Sequence, residues 1–133
     1  MLLHFIMVVD DNPINVTMLQ MLLEDNGYNN TVGVTDPREV LALLYQNPAD
    51  LLLLDFRMPF LNGQQVAELL QKELEVVPGI IVLTAETDRE TRHALLSLGV
   101  DDFLVKPFDH DEVLQRIHNT LELHSQLQTE RNQ

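Results

Sequence analysis

Short apolar runs alternate along the chain with longer segments of helical periodicity. Five runs have the length of strands: FIMVV (5–9), TVGV (31–34), LLLL (51–54), IIVL (80–83) and FLV (103–105). The first, third and fourth are continuously apolar, which is typical of strands covered on both faces. The second contains a glycine among polar neighbours and the fifth is brief, so we expect these two at the edges of a sheet.

Between and after these runs, apolar residues recur every three or four positions, as they do in amphipathic helices. Asn12-Pro13, Asp36-Pro37 and Asn62-Gly63 are typical helix starts, and Gly99 is a typical helix end. The residues expected to face the core are Ile14, Met18, Met21 and Leu22, then Val40, Leu43 and Leu44, then Val66, Leu69 and Leu70, then Leu95 and Leu98, then Val113, Ile117 and Leu121. Five strands, each followed by a helix, predict a doubly wound α/β fold with a parallel sheet and right-handed crossovers.

The carboxyl ends of four of these strands carry polar residues. The first run ends in Asp10-Asp11, the third in Asp55, the fourth in Thr84-Ala85 and the fifth in Lys106-Pro107. Each has an ordinary alternative: a helix cap for Asp10-Asp11 and Thr84, a turn acid for Asp55, and a solvated surface amine for Lys106. In doubly wound folds, however, ligands bind outside the carboxyl ends of the strands, so together these residues predict one site.

The three acids at this rim repel one another, and each close pair costs about 4 kcal/mol at 4 Å and an effective dielectric near 20. A hard divalent cation such as Mg²⁺ removes that cost and keeps coordination positions for phosphate oxygens. A metal, a carboxylate nucleophile and the Lys106 ammonium together indicate phosphoryl transfer to an aspartate.

Composition narrows the function classes further. The 133 residues suit a single domain, and 21 acidic against 8 basic residues give a net charge of −13, which argues against direct binding of nucleic acid. The chain has no cysteine, which excludes disulfides and thiolate metal sites. No apolar run is long enough to span a bilayer, and the first residues lack a basic leader. We therefore expect a cytoplasmic domain without membrane contact.

Four motifs resemble those of the receiver domain of two-component response regulators. They are VVDDNPIN at 8–15, LLLLDFRMPFLNG at 51–63, IIVLTAE at 80–86 and DDFLVKPF at 101–108, and the resemblance covers about residues 4–124. It implies a (βα)5 flavodoxin-like fold with a five-stranded parallel sheet of order 2-1-3-4-5 and five helices. We assign residues 1–124 to this domain and 125–133 to a C-terminal helical extension or the start of a linker to an output domain.

The resemblance also implies a role for each residue at the rim. Asp55 accepts a phosphoryl group from the phosphohistidine of a histidine kinase or a histidine phosphotransfer protein. Mg²⁺, for which Mn²⁺ or Ca²⁺ could substitute, is bound directly by Asp11 and Asp55, through water by Asp10, and by the backbone carbonyl of Arg57. Lys106 and the Thr84 hydroxyl contact the phosphoryl oxygens, and the Lys106-Pro107 peptide bond is cis.

A switch is implied by the same resemblance. Thr84 moves toward the phosphoryl group and vacates space into which Phe103 turns, and the fourth helix, fifth strand and fifth helix respond. Phe103 stands where the family more often has Tyr, and its alternative role is that of a plain core residue. A homodimer could form through this surface or through the C-terminal helix.

Arg57, Ala85 and Glu86 occupy positions that flank the phosphoryl group in the family. Arg57 and Glu86 have opposite charges and could bridge over the group, which predicts slow autodephosphorylation. Two independent solvated side chains are the equally weighted alternative, because surface ion pairs contribute little. Unchanged acyl-phosphate lifetimes in both Arg57→Ala and Glu86→Ala would contradict the bridge.

The segment from Asp109 onward is helical in pattern but increasingly polar. It resembles the junction between a receiver and an output domain that acts on cyclic dinucleotides, of the HD-GYP or GGDEF type; a single-domain regulator with a frayed terminal helix is the alternative.

Two other functions are weighed against a switch that is not an enzyme. A haloacid-dehalogenase-like phosphohydrolase commonly has a second Asp two residues after its nucleophile, but Arg57 stands there. A pseudo-receiver that only binds partners is disfavoured by the complete set of Asp10, Asp11, Asp55, Thr84 and Lys106.

Overall fold

Eleven elements follow one another in a computed structural model that describes residues 4–85 and 89–131, with side chains as far as residue 127. They are β1 (Phe5–Val9), α1 (Pro13–Asp25), β2 (Asn30–Val34), a 3₁₀ turn (Pro37–Glu39), α2 (Val40–Gln46), β3 (Leu51–Asp55), α3 (Gly63–Glu73), β4 (Gly79–Thr84), α4 (Arg89–Ser97), β5 (Asp102–Val105) and α5 (His110–Arg131). The alternation of strands and helices is the predicted one.

All five strands are parallel and lie in the order β2-β1-β3-β4-β5. The doubly wound (βα)5 arrangement of order 2-1-3-4-5 is therefore confirmed, as are the edge positions of β2 and β5. In the register of the central strands, Val9 lies beside Leu54 and Leu54 beside Val82. This alignment brings the carboxyl ends of β1, β3 and β4 to the same edge of the sheet.

The central strands are covered on both faces, which is why their sequences are continuously apolar. Leu51, Leu52, Leu53 and Leu54 are all fully buried. Leu52 and Leu54 belong to a cluster with α2, α3 and α4, whereas Leu51 and Leu53 belong to a cluster with α1 and α5. Burial of each leucine side chain contributes about 1.5–3 kcal/mol to the hydrophobic term, so β3 is a rigid base for the residues that follow it.

The predicted inward faces of α2 to α5 are confirmed, although Leu43, Leu69 and Leu98 are only partly buried. Their buried residues are Val40 and Leu44 in α2, Val66 and Leu70 in α3, Leu95 in α4, and Val113, Ile117 and Leu121 in α5.

The predicted inward face of α1 is wrong. Ile14, Met18 and Met21 are 67%, 59% and 58% exposed, and Leu22 is only partly buried. The face that packs on the sheet consists of Val16, Leu19 and Leu23. Helix α1 carries apolar residues on two faces, so hydrophobic periodicity alone does not determine which face packs on the sheet.

Most helix termini agree with the sequence signals, but Asp36-Pro37 begins the 3₁₀ turn that precedes α2 and not the α-helix itself. The Asn12 side chain accepts a hydrogen bond from Ile14 N at 2.9 Å, so Asn12 caps α1 ahead of Pro13. Gly99 follows α4 with φ of +81°, a backbone conformation that favours glycine. Within residues 4–85 and 89–131, no helix has the combination of length and apolar character that crossing a bilayer requires.

Candidate functional site

Three carboxylates meet at the carboxyl edge of the sheet. Carboxylate oxygens of Asp10, Asp11 and Asp55 all lie within 4.8 Å of one another. Asp10 and Asp55 are buried, with 2% and 6% of their surface exposed, whereas Asp11 is open to solvent. The residues that the strand pattern placed at one rim are therefore together, and one side of the cluster faces the solvent.

Lys106 joins the cluster from the end of β5. Its ammonium nitrogen donates a hydrogen bond to Asp55 Oδ1 at 2.7 Å. Lys106 N donates to the Thr84 carbonyl at 2.8 Å, which extends the pairing of β4 and β5 up to the site. The Lys106–Pro107 peptide bond is cis.

Asp10 is oriented by two hydrogen bonds from the start of α1. Asn12 N donates to Oδ1 at 2.9 Å, and Asn15 Nδ2 donates to Oδ2 at 3.2 Å. Burial raises the pKa of the Asp10 carboxyl above its ordinary value of 3.8, the hydrogen bond from Asn12 opposes that rise, and the charge of Asp55 adds to it. Asn15 was not predicted as a site residue; its signal was its position one turn into the helix that follows Asp10-Asp11.

The loop after Asp55 is closed by backbone hydrogen bonds. Phe56 N donates to Leu83 O at 3.0 Å, and Gly63 N donates to Phe56 O at 2.7 Å. A Cβ atom at Gly63 would lie 3.0 Å from both Asp55 O and Phe56 Cα, so glycine allows the close approach. Arg57 is exposed in this loop, and its backbone follows Asp55 by two residues.

Of the remaining predicted residues, Thr84, Ala85 and Phe103 differ in burial. Thr84 is 3% exposed at the end of β4, and Ala85 next to it is exposed. Phe103 is partly buried in β5 and packs against the core cluster shared with α3 and α4. Glu86 lies outside the described residues, so the suggested Arg57–Glu86 bridge stays a hypothesis.

The donor set fits Mg²⁺. Three carboxylates offer the hard oxygen ligands that this ion prefers, and Mg²⁺ needs only one or two of them because it retains waters. A cation held there would neutralise the mutual repulsion of the acids. With the Lys106 ammonium bound to one Asp55 oxygen, the site can present Asp55 as a nucleophile to an electrophile that carries negative charge.

Comparison with known proteins agrees with this geometry. The profile of the response regulator receiver domain matches residues 6–118. The TorCAD operon transcriptional regulatory protein TorR of Escherichia coli (strain K12) is 36% identical over 119 residues, which are 89% of this chain and 50% of that protein. The chain thus spans about half the length of this curated relative.

Solved structures with the same fold include two informative neighbours. The chemotaxis protein CheY4 of Vibrio cholerae has 26% identity and a TM-score of 0.80, and the match covers 90% of this chain and 99% of CheY4. A two-component system response regulator/GGDEF domain protein has 27% identity and a TM-score of 0.82, and the match covers 92% of this chain and 50% of that one. The profile match over most of the chain, together with the fold, shows that this chain belongs to the response regulator receiver domain family of two-component systems.

Proposed function

We propose that this chain is a phosphorylation-controlled switch in which Asp55 accepts a phosphoryl group from a phosphohistidine in a Mg²⁺-dependent reaction. Receiver domains are signalling modules and not classical enzymes, and their general function is that of a phosphorylation switch. The observation that carries the proposal is the 2.7 Å contact of Lys106 with Asp55, beside Asp10 and Asp11.

In the transfer step, an Asp55 oxygen forms a bond to phosphorus while the bond between phosphorus and the donor's imidazole nitrogen breaks. The electron pair of the broken bond stays on the imidazole. Bound Mg²⁺ supplies charge neutralisation for the phosphoryl oxygens. Asp11, Asp55 and the Arg57 carbonyl would hold the ion directly and Asp10 through water, and Mn²⁺ or Ca²⁺ could substitute.

Lys106 and Thr84 act on the transferred group. The Lys106 ammonium moves from the carboxylate to a phosphoryl oxygen, where the added negative charge is greater. The buried Thr84 hydroxyl donates to another phosphoryl oxygen. Thr84 moves toward the phosphoryl group to form this bond and thereby frees space beside Phe103. Rotation of Phe103 into that space changes the surface formed by α4, β5 and α5.

The phosphoryl donor docks on the exposed apolar stripe of α1. Ile14, Met18 and Met21 are largely exposed, so most of their apolar surface is available to a partner. A groove of about 300 Å³ is lined by Met18 and Leu22 of α1, by Pro107 and Phe108 after β5, and by Asp10 and Lys106 of the site. A histidine-bearing helix of a kinase or phosphotransfer protein placed there reaches Asp55.

The output follows α5. This helix continues to Arg131, so residues 125–131 extend the receiver unit of residues 1–124 as a helix, and this extension leads to an output domain. A GGDEF-type output is supported by the GGDEF domain protein, half of whose length matches this chain. An HD-GYP output, which also acts on cyclic dinucleotides, is the alternative that rests on the sequence of the tail alone. The α4-β5-α5 surface or the extension forms a homodimer, and the switch operates in the cytoplasm.

Phosphorylation by a small donor tests the central step. The chain is incubated with acetyl phosphate in Mg²⁺ or in EDTA, and the acyl phosphate is detected by intact mass. We expect the wild type to gain the mass of a phosphoryl group in Mg²⁺ and not in EDTA, and Asp55→Asn to gain none in either. Asp25→Asn, which neutralises an exposed acid at the far end of α1, should be phosphorylated normally. Label that persists in Asp55→Asn would contradict the assignment, and continuous release of phosphate from small phosphate esters would indicate a phosphohydrolase.

A further inference from the structure

Phe60 lies at the apex of the loop that follows Asp55, in a conformation unusual for its residue type. Its φ is +71°, in the left-handed region that aromatic residues rarely adopt. The side chain is 66% exposed, so burial in the core does not hold it there. A backbone hydrogen bond from Leu61 N to Pro59 O at 2.9 Å closes the turn around Phe60 and leaves its ring free to make a side-chain contact.

The ring contacts Arg38, which lies in the turn before α2. The guanidinium carbon of Arg38 is 3.6 Å from the centroid of the Phe60 ring, a cation–π stacking geometry. Arg38 and Phe60 belong to different strand–helix connections, β2–α2 and β3–α3. The stack therefore ties two loops together at the carboxyl edge of the sheet.

Arg38 is itself held in a fixed orientation. Its Nε and Nη2 donate to the two carboxylate oxygens of Asp36 at 3.0 Å and 2.9 Å. Asp36 is fixed in turn because its Oδ1 accepts from Arg38 N at 3.0 Å, as the cap of the 3₁₀ turn. A bidentate contact orients the guanidinium plane, which a lysine in its place could not reproduce.

The two ends of the Phe60 loop are anchored by other contacts. At the start, Phe56 is bonded through its backbone to Leu83 and Gly63. At the end, Asn62 and Gln65 form reciprocal side-chain and backbone hydrogen bonds of 2.8 Å at the start of α3. The stack on Phe60 adds an anchor at the apex, between these fixed ends.

We propose that Arg38 and Phe60 are positioning residues for the Mg²⁺ site, because their stack holds the loop whose Arg57 carbonyl serves as a ligand. This inference rests on the proposed function. Mg²⁺ demands near-ideal coordination geometry, so a loop that is already ordered binds the ion more tightly than one that must be ordered on binding.

Long-range electrostatics and the stack predict opposite effects of the substitution Arg38→Ala on Mg²⁺ affinity. Loss of the Arg38 positive charge removes repulsion of Mg²⁺, and on this ground alone Arg38→Ala would bind the ion more tightly. The stack predicts that Arg38→Ala binds it more weakly. The sign of the change therefore separates the two causes.

Mg²⁺ titration of the intact chain, followed by amide shifts in ¹H–¹⁵N spectra, measures the dissociation constant. We expect Arg38→Ala and the charge-neutral Phe60→Leu each to raise it by about two- to fivefold, the range of exposed cation–π contacts. Phe60→Tyr keeps the ring and should retain the wild-type value. Lys72→Ala, which removes an exposed cation near the end of α3, should leave it unchanged or slightly lower.

Two further results complete the test. Without Mg²⁺, the thermal unfolding midpoint of Phe60→Leu should change little. In the same variant the heteronuclear NOE of the amides at positions 57, 58, 60 and 61 should fall, whereas a purely structural role of Phe60 elsewhere in the fold would leave these amides unchanged. Wild-type affinity in both Arg38→Ala and Phe60→Leu would overturn the positioning role while leaving the proposed function intact. A wild-type chain that binds no Mg²⁺ would overturn both.

Discussion

The ammonium of Lys106 contacts Asp55 at 2.7 Å although 51 positions separate the two residues in the sequence. The strand order explains this contact. β4 lies between β3 and β5, so the two residues are two strand spacings of about 4.8 Å apart, a distance that the side chains of Lys106 and Asp55 span together. The ammonium thereby compensates one of the buried carboxylates before any ion binds.

This pairing predicts opposite effects of Lys106 on ion binding and on signalling. Lys106→Met keeps the apolar stem and removes the charge, so Mg²⁺ should bind about three- to tenfold more tightly. The same variant should lose the conformational response to beryllofluoride, since no ammonium remains to contact the bound anion. Mg²⁺ titrations and ¹H–¹⁵N spectra with and without beryllofluoride measure both effects, and Lys72→Ala is the matched control for lost charge.

Weaker Mg²⁺ binding in Lys106→Met would mean that the ammonium organises the acids more than it repels the ion. A full response to beryllofluoride in that variant would remove Lys106 from the switch.

Magnesium should stabilise the fold through the same three acids. An ion that binds the folded state alone adds about 2.7 kcal/mol at a concentration 100 times its dissociation constant. The thermal midpoint of the wild type should therefore rise with MgCl₂ and remain nearly constant with NaCl at equal ionic strength. Asp11→Asn should lose most of the rise, whereas Asp25→Asn should retain it; equal rises in both variants would place the ion elsewhere.

The strand ends in the sequence sufficed to predict which residues meet at the rim. Parallel strands that start from one side must all end on the other, so Asp10, Asp55 and Lys106 share an edge whatever their loops do. The order of the strands, in contrast, was predicted only from the family resemblance. Hydrophobic periodicity does not state which strand pairs with which.

The orientation of α1 and the stack on Phe60 could not be predicted in this way. Val16 packs against Gly33, whose missing side chain makes room for it, so the choice between the two stripes of α1 depends on a neighbour in β2. The stack of Arg38 on Phe60 depends on the backbone of two loops. Their conformations follow from tertiary contacts and not from a repeating pattern.

Asp10 gives a pH dependence with a defined sign. Burial raises its pKa in the folded state, so the folded state retains a proton that the unfolded state loses at a lower pH. The stability that the protonated Asp10 carboxyl contributes is therefore lost as pH rises from 3.8 through the raised pKa. At neutral pH the buried negative charge lowers the free energy of unfolding by its full amount. In EDTA, Asp10→Asn should be more stable than the wild type at pH 7.

The stability difference between Asp10→Asn and the wild type should shrink as pH is lowered toward 4. Urea unfolding at several pH values measures it, with Asp25→Asn as the control for overall charge. A difference that is constant with pH would show that the amide acts through its hydrogen bonds and not through the lost charge.

The two stripes of α1 should respond differently to substitution. Leu19→Ala removes a buried side chain and should lower the free energy of unfolding by about 2–5 kcal/mol, whereas Met18→Gln changes an exposed one and should stay within about 0.5 kcal/mol.

Met18→Gln should also be phosphorylated normally by acetyl phosphate, which needs no docking surface. Transfer from a phosphorylated histidine kinase domain that labels the wild type should be slowed about tenfold, since exposed methionines at an interface supply apolar contact area. Equal transfer rates for Met18→Gln and the wild type would remove this stripe from donor recognition, while a large loss of stability in Met18→Gln would show that α1 packs in the orientation first predicted.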